Sequence, residues 1–282
     1  MKHKLTTTAL ATLCAITALL ATACHHHTGG DKPVIAVDME PQRALVNALM
    51  GDSCEVVCLL GENQDPETFE LSVNDVKRLS RARVFFFMDA GSTVTHRLIN
   101  KVPHMVPCEE GISMVEGTHG EQYMGLDPHT WLSVKNNKII ATNMATHLMR
   151  VFPARKDDIE RRHRALMAHL DSLDSRLARE LAPCAGKAFA AWHPALSYFA
   201  RDYGLRQVAL DDGKEMSALH LKEQMERVGR SGATVLLLQR QIDGRQAREI
   251  NRELGLTIVE FNPMSPRWEE ELTHIAHAIA TH

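Results

Sequence analysis

From Lys32 onward, short apolar runs alternate with stretches of helical periodicity. Residues 34–37, 55–60, 84–88 and 104–107 read as strands. Residues 40–50 and 72–82 read as helices, with a short third helix near 95–100. The helix at 40–50 stops at Gly51, and Ser72 with Asp75 three positions later marks a capped helix start. The rhythm returns later. Residues 188–192, 206–210, 234–238 and 257–261 read as strands, and 195–203, 217–228, 245–254 and 268–280 as helices. Strand–helix alternation predicts parallel sheets. The fold expected is therefore α/β, with two lobes, each a roughly four-stranded parallel sheet with helices.

The segment 154–182 differs from both lobes. It has no glycine, and Pro153 stands just before it. Apolar residues recur at Ile159, Leu166, Leu170, Leu173, Leu177 and Leu181 among Arg, Asp, Glu and His. Such a stripe predicts one long amphipathic helix, about 43 Å at 1.5 Å per residue. A coiled-coil dimer could use the same stripe, but its place between two lobes favours a rigid strut joining them. The expected division is then a lobe over 32–153, the linking helix over 154–182 and a second lobe over 183–282.

The first residues lie outside this pattern. Lys2 and Lys4 precede an apolar run that ends Leu20-Ala21-Thr22-Ala23-Cys24. Residues 1–23 have the layout of a secretory signal, and small residues before a cysteine resemble a lipoprotein cleavage site. Cys24 would carry the lipid, and 24–31, with His25, His26 and His27, would be a tether. Removing 1–23 takes Lys+Arg from 32 to 30 against 35 Asp+Glu, a net charge of −5. A mildly acidic body argues against nucleic acid or a polybasic membrane surface as partner. The membrane link would be the lipid alone, on an extracytoplasmic, lipid-anchored protein. Cys54, Cys58, Cys108 and Cys184 could pair in an oxidising compartment or stay as buried thiols.

The chemistry sits on loops after strands. Asp65-Pro66-Glu67-Thr68-Phe69-Glu70 and Asp127-Pro128-His129-Thr130-Trp131-Leu132 repeat one pattern. Each places a metal-capable side chain after a proline, which stiffens its loop. His193 precedes Pro194, and Asn262 precedes Pro263. Ligands of parallel sheets bind beyond the carboxyl ends of strands, so Glu67, His129, His193 and Asn262 would converge if the lobes face each other. Imidazole with carboxylate suits Zn²⁺, Mn²⁺ or Fe²⁺. Trp131 and Tyr198 read as packing residues.

With 61–70, 127–132 and His193-Pro194-Ala195-Leu196-Ser197-Tyr198-Phe199-Ala200, the chain resembles the solute-binding lipoproteins of the zinc/manganese ABC import family. Gly213-Lys214-Glu215-Met216-Ser217 is similar to a Gly-Lys-Glu-Pro-Ser loop of that family. The resemblance implies two lobes joined by a rigid helix, with metal at their interface. It also implies a monomeric receptor that hands its cation to an ABC permease and a partner ATPase. Zinc receptors of the family usually carry His where this chain has Glu67, and the family usually carries Asp where it has Asn262. Those departures give Mn²⁺ and Fe²⁺ more weight beside Zn²⁺. The His-rich acidic loop of many such receptors is reduced to His119 and Glu121. Glu70 and Glu215 would stand behind the ligands as hydrogen-bond acceptors. No Gly-x-x-x-x-Gly-Lys-Ser/Thr loop is present, so nucleotide hydrolysis belongs to the partner. The competing readings are a secreted metallohydrolase, which lacks a His-Glu-x-x-His helix or a nucleophile motif, and a metal-storing surface adhesin.

Overall fold

Among the described residues, every strand runs parallel to its neighbours, in two sheets of identical topology. The computed structural model describes residues 32–64, 68–88, 97–98, 101–102, 104–117, 125–211, 217–242 and 244–282. The first sheet comprises β1 (Val34–Met39), β2 (Glu55–Leu60), β3 (Val84–Phe87) and β4 (Met105–Pro107), in the order β2-β1-β3-β4. The second comprises β5 (Ala188–Ala191), β6 (Arg206–Ala209), β7 (Val235–Gln239) and β8 (Thr257–Phe261), in the order β6-β5-β7-β8. The central strands β1, β3, β5 and β7 are buried along their whole length, as strands covered on both faces must be.

The helices among the described residues are α1 (Glu40–Met50), α2 (Val73–Leu79), α3 (Val134–Val151), α4 (Lys156–Leu181), α5 (Ser197–Tyr203), α6 (Ala218–Ser231), α7 (Gly244–Leu254) and α8 (Trp268–Thr281). Ser72 caps α2 reciprocally with Asp75, as the sequence predicts. Gly51 ends α1 at φ 57°, and an added Cβ would lie 2.8 Å from the Arg162 guanidinium. The 95–100 helix falls mostly outside the described residues.

Two corrections concern the middle of the chain. An 18-residue helix, α3, occupies a stretch for which the sequence reading gave no element. The linking helix α4 is two residues shorter at its start and one at its end than 154–182, because short 3-10 turns flank it at Pro153–Arg155 and Ala182–Cys184. All six of its expected apolar positions are buried. They face inward, packing against α3, α1 and α8, so the stripe serves this chain's own core.

That core does not stop at a lobe boundary. One apolar cluster runs from the first sheet through α1, α3 and α4 to α8 and one face of the second sheet, taking Phe189, Ala191, Val235, Leu237 and Phe261. The alternate residues Ala188, Ala190, Leu236 and Leu238 point to a smaller cluster on the other face, with Val208 and Val228. This is the two-residue strand period seen from both sides. No disulfide joins Cys54, Cys58, Cys108 and Cys184. Burial raises the Cys58 and Cys108 thiols, so neither ionises readily.

Candidate metal centre

His129 lies on the loop between β4 and α3, and α3 builds that loop. Ser133 caps the helix by accepting from the Asn136 amide at 3.1 Å. In the first turn, Asn136 Nδ2 donates to the Thr130 carbonyl at 2.9 Å and Asn137 Nδ2 to the Trp131 carbonyl at 2.7 Å. Thr130 Oγ1 donates to Glu109 at 2.5 Å. The result is a loop with little freedom around a nearly buried imidazole.

Asp127 completes it. One carboxylate oxygen, Oδ1, accepts from the His129 backbone N–H and lies against ring Nδ1, both at 2.8 Å. A carboxylate only accepts, so Nδ1 carries the proton and Nε2 is left with its lone pair. Burial would raise the Asp127 carboxyl, but the hydrogen bonds that it accepts from the His129 ring and backbone outweigh it and hold the group at about 2. Asp127 is a site residue that the sequence reading passed over. Its signal was available, since it opens the Asp-Pro-x-Thr motif.

His193 follows β5, on the carboxyl edge of the second sheet. Its ring stands edge-on to that of His129, with centroids 5.2 Å apart and planes at 77°. The two lobes therefore present their histidines to each other. Trp131 and Tyr198 do more than pack. Trp131 Nε1 donates to the Pro263 carbonyl at 2.8 Å, and the Tyr198 hydroxyl donates to the Asp127 carbonyl at 2.7 Å. Each motif's aromatic residue thus bonds to the opposite lobe. Ser133 Oγ to Asp202 at 2.5 Å and Arg201 to the Ser113 carbonyl at 2.9 Å add to the same seam.

Asn262 is buried on the same edge, after β8, and its amide is engaged. Oδ1 accepts from Gln241 Nε2 at 2.6 Å and from the Met264 amide at 2.9 Å. Nδ2 donates to the Glu62 carbonyl at 3.2 Å. Glu70 is exposed, and none of the described hydrogen bonds ties it to either histidine. Glu67, Glu215, Cys24, His119 and Glu121 lie outside the described residues. Among the described residues no three His, Cys, Asp or Glu side chains form a metal-sized cluster; His129 and His193 bring two imidazoles together.

Residues 35–281 match the family described as ZnuA, zinc-uptake complex component A, periplasmic. The chain belongs to that family. A "putative metal-binding protein" of Chlamydia muridarum is 24% identical over 248 residues, covering 87% of this chain and 90% of that one. The "zinc-binding lipoprotein AdcA" of Streptococcus pneumoniae is 27% identical over 281 residues, and the match spans 93% of this chain but 56% of AdcA. Among solved structures, a ZnuA crystal structure superposes with a TM-score of 0.81 at 28% identity, covering 89% of this chain and 99% of that chain. A Mn²⁺ complex of the solute-binding protein FpvC of Pseudomonas aeruginosa shares the fold, with a TM-score of 0.78 at 21% identity over 89% of this chain and 98% of that one. The zinc-uptake fold accounts for the paired sheets and the long helix between them. A zinc-uptake component of this type is a solute-binding protein, not an enzyme, and its place is outside the cytoplasm.

Proposed function

We propose that this chain is the metal-binding receptor of an ABC importer. It captures a divalent transition metal outside the cytoplasm, zinc first, with manganese or iron as alternatives, and passes it to a membrane permease driven by a partner ATPase. The observation that carries this reading is the meeting of His129 and His193 from opposite lobes. A Zn–N bond of about 2.0–2.1 Å puts each ring centroid about 3.2 Å from the ion, so two imidazoles on one tetrahedral ion have centroids about 5 Å apart. The 5.2 Å separation found here fits that donor pair.

Glu67 is the proposed third donor, on the strength of its motif, with Glu215 behind the ligands. An imidazole pair with one carboxylate serves zinc and leaves manganese or iron possible chemically. Lipid attachment at Cys24 is the proposed membrane anchor. Elemental analysis of the purified protein, then titration of Zn²⁺ against Mn²⁺ by calorimetry, tests the function. His129→Ala and His193→Ala are each expected to lower affinity at least about 100-fold, since each removes a ligand outright. Wild-type affinity in either variant rejects the site.

A further inference from the structure

The two sheets meet along their carboxyl edges at more than the histidines. His129 and His193 follow β4 and β5. A second meeting point lies at the opposite edge of the first sheet, after β2. There Glu62 forms part of the tight turn at 61–64, closed by Gln64 N to the Gly61 carbonyl at 3.0 Å and by Gly61 N to Gln64 Oε1 at 2.8 Å. The Glu62 carbonyl accepts from two side chains of the second lobe, Gln241 Nε2 at 2.8 Å and Asn262 Nδ2 at 3.2 Å. Gln241 also donates to Asn262 Oδ1 at 2.6 Å, so its amide nitrogen spends both hydrogens on this cluster.

The amide orientations are fixed by backbone groups. Asn262 Oδ1 faces the Met264 N–H, which can only donate, and Nδ2 faces the Glu62 carbonyl, which can only accept. Flipping Gln241 would set its oxygen against two acceptors. Both lone pairs of Asn262 Oδ1 are therefore committed. The Asn262 backbone N–H donates to Glu271 Oε2 of α8 at 3.1 Å, which anchors the residue from behind.

We propose that Gln241 and Asn262 form an amide latch between the lobes. They are positioning residues that hold the 61–64 turn against the second lobe, and they set the rate at which metal leaves. The metal half of this inference rests on the receptor reading above; the latch itself rests on the hydrogen bonds alone. An amide does here what a carboxylate cannot. Asn262→Asp keeps the acceptor for Met264 and Gln241 but replaces the donor to Glu62 with an oxygen that repels the carbonyl.

Two measurements decide it. Amide hydrogen exchange at Gly61 and Gln64 in metal-free protein is expected to quicken about tenfold in Gln241→Ala and Asn262→Asp, the scale of one lost hydrogen bond. Exchange at Val37, in the core of β1, serves as the control for an intact fold and is expected to stay at the wild-type rate. Unchanged exchange at 61–64 in both variants overturns the latch. Zn²⁺ release to a competing chelator is expected to be about tenfold faster in Asn262→Asp. Unchanged or slower release overturns the proposal, and slower release makes position 262 a ligand position instead. A wild-type protein that binds neither Zn²⁺ nor Mn²⁺ defeats the receptor reading, and the exchange measurement then decides the latch alone.

Discussion

Asp127 touches His129 twice through one oxygen, once at the backbone and once at the ring. Losing the ring contact frees the imidazole to take the wrong tautomer. Asp127→Asn is expected to weaken metal binding about 10–100-fold without unfolding the protein, read by calorimetry. Asp38 poses the opposite problem. It is the last residue but one of β1 and is buried, with Oδ2 accepting from the Met88 amide at 2.8 Å and Oδ1 without a hydrogen-bond partner among the described residues. Burial, reinforced by the charge of Glu109, raises its carboxyl to about 8, against the opposing Met88 hydrogen bond. The folded protein therefore holds a proton that the unfolded chain gives up near pH 4. Stability from this group is full below about pH 4 and declines as pH rises toward about 8. Asp38→Asn keeps the acceptor for Met88 and removes the titration. Its melting temperature is expected to exceed the wild type's at pH 8, with the gap closing near pH 4. A gap independent of pH would contradict this account of Asp38.

Among the elements, α3 and α4 make an instructive pair. The stripe of α4 is written in Ile and Leu, so its burial was legible from spacing alone. The buried face of α3 is mixed: Asn136 and Asn137 follow Val134 in its first turn, and their amides turn back to hold the His129 loop, ahead of Ile140, Ala141, Met144, Ala145 and Leu148. Two buried amides among small and apolar residues blur the period at the start of the helix, where the sequence reading gave no element. Strands fared better because β3 is an unbroken apolar run and β1 and β7 each open with four apolar residues. His129 and His193 were legible from their proline-flanked loops, whereas the amide contacts of Gln241 and the tether from Trp131 to Pro263 join residues far apart in sequence and leave no local pattern. Leu170 is fully buried in the α4 stripe. Leu170→Ala is expected to cost about 2–5 kcal/mol, measured by denaturant unfolding; a loss under about 1 kcal/mol would mean that α4 is not part of the core.

For the whole molecule, the shared cluster matters more than the count of sheets. Because one apolar body includes both sheets and α4, unfolding at equilibrium is expected to be a single transition by circular dichroism and tryptophan fluorescence. Two separated transitions would mean that the lobes fold independently. The same continuity makes α4 a spacer with a phase. Each residue inserted in a helix turns everything beyond it by about 100° and advances it by about 1.5 Å. One extra alanine midway along α4 would swing the His193 loop out of register with His129 while leaving every side chain of both loops intact. The separation of the two imidazoles is thus written as much in the residue count of a distant helix as in the motifs that carry them.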